Sequence, residues 1–297
     1  ARDSRLFTVR LGAPRVSIPD VRGMPAPELV LPGADGFGYG RFELDSASLS
    51  YLLTHLPELD DPVARGAAWL ILWDALLEGQ VQPREFFALT MRALSLEDDE
   101  LNVQRILGYA EETFWRFLPA TVRFEQAREL ERLLWEGIDA AKTPTLKATY
   151  FRAFRSAALT PDGVARLRGI WSRRVTVPGV RLSEDDYTTM ALELAIRSVP
   201  DAADILRSQE RRITNPDRRA RFAFVLPALS GDTTVRDAFF ESLKNAANRE
   251  HEPWVLDGLG YLHHPLRAAR AERYILPSLE LLEEIQRVAP YKTNVLI

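Results

Sequence analysis

Histidine, serine, carboxylate and arginine are the side chains of this sequence whose spacing could support chemistry. The chain has four histidines, His55, His251, His263 and His264, and no cysteine. Zinc hydrolysis needs clustered ligands, commonly two histidines one helical turn apart in H-E-x-x-H. None of the four stands in that arrangement. His263 and His264 are adjacent, so on a helix they point about 100° apart and share one ion poorly. Capping or packing at the Leu262–Pro265 turn is expected of them, and no metal site is expected in this chain. The missing cysteine removes thiol catalysis and disulfides. Ser95, Ser156 and Ser230 lack the G-x-S-x-G elbow of hydrolase nucleophiles. Gly33, Gly36, Gly38 and Gly40 are followed by no Lys-Ser/Thr pair, so they spell a turn or hairpin and not a phosphate cradle. No catalytic residue is expected.

Two charged patterns remain. Asp60-Asp61, Asp98-Asp99 and Asp185-Asp186 each precede a helical pattern, where the helix dipole favours negative charge, and capping explains them. Arg207, Arg211, Arg212, Arg218, Arg219 and Arg221 crowd together. Arg207 and Arg211 can share one helical face, as can Arg218 and Arg221 on the helix opened by Asn215-Pro216. Such guanidinium pairs bind a peptide carboxylate through bidentate hydrogen bonds. Arg218 and Arg221 are therefore candidate substrate-binding residues, with internal salt bridging as the competing explanation. The aromatic pairs Trp69/Trp73 and Phe151/Phe154, and Phe222 with Leu226, have the spacing of core residues.

These residues must be positioned by elements whose class the composition bounds. The 297 residues are 46% hydrophobic and 27% charged, with a net charge of −4, which fits a globular domain and argues against a general nucleic-acid binder. No apolar run reaches the roughly 18 residues of a membrane span. The opening residues carry no apolar signal core, and the compartment stays open.

Patterning divides the chain near residue 45. Over 5–45, Phe7-Val9-Leu11, Val16-Ile18, Glu28–Leu31 and Tyr39–Leu44 alternate or run short between Gly and Pro, which predicts four short strands. Such strands make a poor independent core, so they are expected to be a β-sandwich remnant or a small sheet packed on helices. The period then becomes helical. Helix starts are predicted at Asp45 or Ser46, Asp61-Pro62, Pro83, residue 99, residue 120, Pro144 and Thr160-Pro161. Residues 173–182 form a loop. Ser183 with Asp186 is a variant capping box. Further starts are predicted at Pro200-Asp201, Asn215-Pro216, Gly231-Asp232 and Glu252-Pro253, with a last helix over about 276–289. Helix pairs spaced about 35–45 residues apart fit an armadillo/HEAT-like α-solenoid, with an irregular helical bundle as the alternative.

Two stretches resemble the aminopeptidase N family of zinc metallopeptidases. The first carries Leu31, Pro32, Gly36, Gly38, Tyr39, Arg41 and Asp45, then Arg65, Trp69, Leu72, Trp73 and Asp74. Gly33 stands where the family often has Asn, a change that a turn tolerates. The second runs Arg249–Val255, Leu262–Arg267 and Pro277–Gln286, and is similar to the end of some bacterial members; the tail Pro290–Ile297 departs from that pattern.

The resemblance implies a fold and a parent. Residues 1–45 would be the end of a β-sandwich, and 46–297 the C-terminal helical domain, a solenoid or bowl. That domain would cap the catalytic cleft and shape peptide access. Zinc would belong to a catalytic domain of the same polypeptide, as would H-E-x-x-H, and this chain would hold no cofactor and be inactive alone. The expected partners are that catalytic domain and peptide substrate, with no nucleic acid and no membrane span. A start without Met, inside an expected strand, fits a piece of a longer protein. The rival expectation is a stand-alone armadillo/HEAT-like scaffold that holds a protein partner on a concave surface.

Overall fold

The computed structural model describes residues 4–10, 12–36 and 40–288, with side chains through Leu281. The described residues form thirteen α-helices and no strand. In order these are α1 Ser46–His55, α2 Pro62–Leu77, α3 Pro83–Leu94, α4 Glu100–Glu112, α5 Ala120–Ala140, α6 Pro144–Ala157 and α7 Pro161–Trp171. Then follow α8 Glu184–Ile196, α9 Ala202–Arg212, α10 Pro216–Val225, α11 Thr233–Ser242, α12 Glu252–Leu262 and α13 Ala268–Val288. Helices contact mainly their sequence neighbours, and the fold is mainly α and solenoid-like. The chain divides into two compact units, the first ending at Pro119 and the second beginning at Ala120. The expected division at residue 45 falls inside the first unit.

The helix starts follow the capping chemistry of the sequence. Asp45, Asp61, Asp99 and Asp232 each accept hydrogen bonds from backbone N–H groups of the first turn, as do Thr143, Thr160 and Asn215. Ser183 and Asp186 form the reciprocal capping box. Asp201 departs from the pattern: it makes no side-chain cap, and its carboxylate pairs with Arg168 at 2.5 Å.

The four strands expected over 5–45 do not form among the described residues, and Leu11 and Gly38-Tyr39 lie outside them. Phe7 and Val9 are half-buried between exposed Leu6 and Thr8, so the alternation survives without a ladder. A strand is defined by a pairing partner, and Val30 N–H donates instead to Ser48 Oγ of α1, at 2.9 Å. Gly33 and Gly36 supply the turn expected of them, with φ of 63° and 77°.

The last helix begins earlier than the expected 276. It starts at Ala268 and carries Pro277 in its interior. Ala271, Tyr274, Ser278 and Leu281 form one buried face at helical spacing, and this packing outweighs the local penalty of the proline.

The first unit is centred on Leu52, Trp69, Leu72, Phe86, Leu89, Ile106 and Phe114, each fully or almost fully buried. Half-buried Trp73 stacks on Tyr109, with centroids 4.5 Å apart and planes at 13°. Arg65 makes a bidentate pair with Glu97, at 2.6 and 2.8 Å, and donates to the Leu59 and Asp60 carbonyls. Burial normally makes such a pair costly, but here every donor edge of Arg65 is used, and the Glu97 hydrogen bond holds the guanidinium pKa above its usual value.

Arginine clamps recur on helix ends. The last carbonyls of a helix have no partner inside it. Arg92 donates to Leu53 O at the end of α1, 39 positions away. Arg197 donates to the Ala158 and Ser156 carbonyls at the end of α6, and also pairs with Glu193. Arg212 reaches Trp171 O at the end of α7, 41 positions away. Arg267 reaches Leu229 O, 38 positions away, in the turn that follows α10. At the opposite helix pole, Glu131 of α5 accepts from Leu159 N, Thr160 N and Thr160 Oγ1, closing the start of α7.

Three substitutions test this packing. Arg197→Met should lower the unfolding free energy by about 3 kcal/mol, because Glu193 and the α6 carbonyls lose their partner; chemical denaturation measures it. A Cβ on Gly137 would meet the Tyr150 ring at 2.2–2.6 Å, whereas one on Gly108 would meet nothing within 4 Å. Gly137→Ala should therefore destabilise by about 1–3 kcal/mol, and Gly108→Ala should stabilise by about 0.5–1 kcal/mol.

Candidate functional site

Arg218 and Arg221 lie on α10 and reach a small cleft of about 40 Å³ among α8, α10 and α12. Asp185 and Thr188 of α8 line it, together with Asp257 and Tyr261 of α12. Arg221 binds Asp257 through Nε and Nη2, at 2.7 and 2.6 Å. Arg218 Nη1 stands 3.5 Å from Glu184 Oε1. Glu184 is held below the usual carboxylate pKa, first by the Thr214 hydroxyl and then by its N–H, with Arg218 contributing less. Burial raises the Tyr261 phenol above its ordinary pKa, and the charges of Glu193 and Asp257 add to the rise.

The two candidate arginines are thus brought together, each with a carboxylate partner and each about half exposed. An incoming carboxylate would compete with Asp257 and Glu184 for them. The other arginines of the cluster go elsewhere. Arg207 pairs with Asp204, Arg219 caps Ile213 O, and Arg212 stacks on Trp171 with its guanidinium carbon 4.6 Å from the ring centre. Asp257 and Tyr261 are parts of the cleft that sequence patterning did not single out. The 36-residue separation of Arg221 and Asp257 matches the helix-pair period, and it was the one signal that could have found them.

The histidines are dispersed and engaged. His55 pairs with Glu58 at 3.2 Å, and His251 stacks on Trp254 with centroids 4.1 Å apart. His263 ends α12 and its Nε2 meets Ser278 Oγ at 3.0 Å. His264 caps the following turn, with Nδ1 accepting from Leu266 N. Among the described residues, no group of three His, Asp or Glu side chains is placed to hold a metal. These residues do not fit a zinc ion.

The residues that carry the resemblance have structural employment. Asp45 caps α1, Arg65 holds Glu97, and Trp69 and Leu72 are fully buried. Trp73, Phe151, Phe154 and Phe222 pack as aromatic and apolar core.

The described residues thus define a mainly helical, solenoid-like fold with an ion-paired recess among α8, α10 and α12. No protein-family model matches the chain. Over 266 residues it is 22% identical to aminopeptidase N of Streptomyces lividans. The match covers 87% of this chain, which spans about 30% of that protein's length. The chain is therefore related to a region of an aminopeptidase N. No described helix is long and apolar enough to cross a membrane.

His264 yields a prediction about pH. Burial, followed by the charges of Arg197, Arg267 and Arg123, pushes its pKa down from 6.5 to about 3. The unfolded chain then binds the extra proton first, so stability is lost as pH falls from 6.5 towards 3. His264→Asn should show a shallower loss of unfolding free energy than the parent sequence over that range, measured by urea denaturation at several pH values. Parallel curves would remove His264 from the acid response.

Proposed function

We propose that this chain is the C-terminal, non-catalytic helical region of a zinc-dependent aminopeptidase, where it caps the catalytic cleft and shapes the access of peptides. The observation that carries the proposal is the match to aminopeptidase N, which covers most of this chain and less than a third of that protein. The structural roles of Asp45, Arg65, Trp69 and Leu72 support it, since a covering region needs its framework residues and supplies no zinc ligands of its own. In this proposal the catalytic domain is covalently continuous with the chain and holds the zinc that activates water. Arg218 and Arg221 contact the peptide, exchanging Asp257 and Glu184 for a substrate carboxylate.

The period of the clamps, 38–41 residues, also favours the second reading, a stand-alone armadillo/HEAT-like scaffold for a protein partner. One comparison separates the two. The longest polypeptide from the same gene should hydrolyse aminoacyl-anilides and bind about one zinc, as a catalytic zinc site requires, while this chain alone does neither. Neither activity nor zinc in the longer polypeptide would leave the scaffold. In an active longer polypeptide, Arg218→Ala with Arg221→Ala should raise KM for free-acid peptides about tenfold, the loss of a charge-assisted contact, and spare the C-terminal amides. Equal KM values for both would exclude the two arginines from binding.

A further inference from the structure

We propose that the arginine-rich corner where α7 and α9 end is a docking surface for an acidic polypeptide segment, separate from the cleft among α8, α10 and α12. From Gly163 to Ser183 the chain carries Arg166, Arg168, Arg173, Arg174 and Arg181 and no Asp or Glu, against a net charge of −4 for the whole. The fold adds Arg211 and Arg212 from the end of α9. Arg212 stacks on Trp171 and also donates to its carbonyl, at the end of α7 and two positions before Arg173 in the chain.

Arg173, Arg174, Arg181, Arg211 and Arg212 are exposed, and none is ion-paired among the described residues. Two of the nearby acids are engaged by other groups: Glu184 accepts from Thr214, and Asp186 accepts from Ser183 and Arg155. Two guanidiniums are held in place by aromatic faces, Arg212 over Trp171 and Arg173 over Tyr187, at 4.6 and 5.0 Å. Stacking leaves in-plane N–H donors open beyond the one that Arg212 gives to Trp171 O, and reduces the side-chain entropy lost on binding.

Backbone geometry points the same way. Arg173 has φ 62° at the end of α7, a left-handed position where glycine is the usual residue. An arginine there is conformationally costly, and what it gains is a guanidinium on the Tyr187 ring.

The chemistry that fits is a short run of carboxylates. Glu184, Asp185 and Asp186 follow the loop directly, so a phosphate backbone extending past the corner would meet like charge, whereas a brief acidic segment need not. Attraction of this kind weakens as salt rises.

The test is fluorescence anisotropy of a labelled oligoglutamate peptide with the full chain at low ionic strength, beside matched oligoglutamine and single-stranded oligothymidylate. Oligoglutamate should bind tightest. Arg173→Glu with Arg212→Glu should weaken it at least about tenfold. Arg132→Glu, an exposed reversal on α5 where Arg132 pairs with Glu129 and Glu136, should leave it within about twofold. Arg173→Gly suits the backbone, so its melting curve should match the parent while its affinity falls about threefold; it decides the matter if the double reversal unfolds the chain. Equal binding of oligoglutamine, equal weakening by Arg132→Glu, full affinity in Arg173→Gly, or tighter binding of oligothymidylate would each overturn the proposal.

Discussion

Every α-helix leaves carbonyls at its C-terminal end with no partner of their own, and this molecule satisfies several of them with arginines from a later helix. Arg92, Arg197, Arg212 and Arg267 each reach back about 40 residues to the end of an earlier helix or its terminal turn. A guanidinium suits the task because its donors fan out in one plane, and because positive charge is favourable at that pole of a helix. The chain has no cysteine with which to cross-link its helices. Side-chain clamps therefore share with apolar burial the work of setting the register between helix pairs. Glu131 applies the complementary rule at the start of α7, where backbone N–H groups are free and negative charge is favoured.

The cleft is a by-product of that register. Once α8, α10 and α12 lie side by side, Arg221 faces Asp257 and Arg218 faces Glu184 at nearly the repeat distance. The network of Trp171 Nε1, Gln209 and Thr188 holds α7, α8 and α9 together through buried polar contacts with their partners made. Thr188 also lines the cleft, so the interior that fixes these helices is continuous with the surface that would meet a ligand. The histidines, which would be the first suspects in a hydrolase, instead cap turns and pack against neighbours.

Much of this was legible in the sequence because it depends on near neighbours. Asp61 before Pro62 and the Ser183–Asp186 box announce helix starts through contacts within one turn, and both caps form. The aromatic spacing of Trp69, Phe151 and Phe154 correctly marked core, since a helical period tells which side chains share a face. Alternation over 5–45 was misleading, because it records that residues could line a strand and not that a partner strand is present. The last helix, expected over about 276–289, instead begins at Ala268, because the buried face of Ala271, Tyr274, Ser278 and Leu281 outweighs the local penalty of Pro277 inside it.

By itself, then, the sequence determined the helical class, most helix starts, the approximate repeat length and the absence of a familiar catalytic motif. Each of these rests on interactions between residues a few positions apart or on composition. Tertiary structure alone decided that Arg218 and Arg221 share a cleft with Asp257 and Tyr261, that Arg212 stacks on Trp171, and that Asp201 serves Arg168 in place of its own helix. These are pairings across 30 residues or more, where many partners are chemically equivalent, and only the packing of whole helices selects among them.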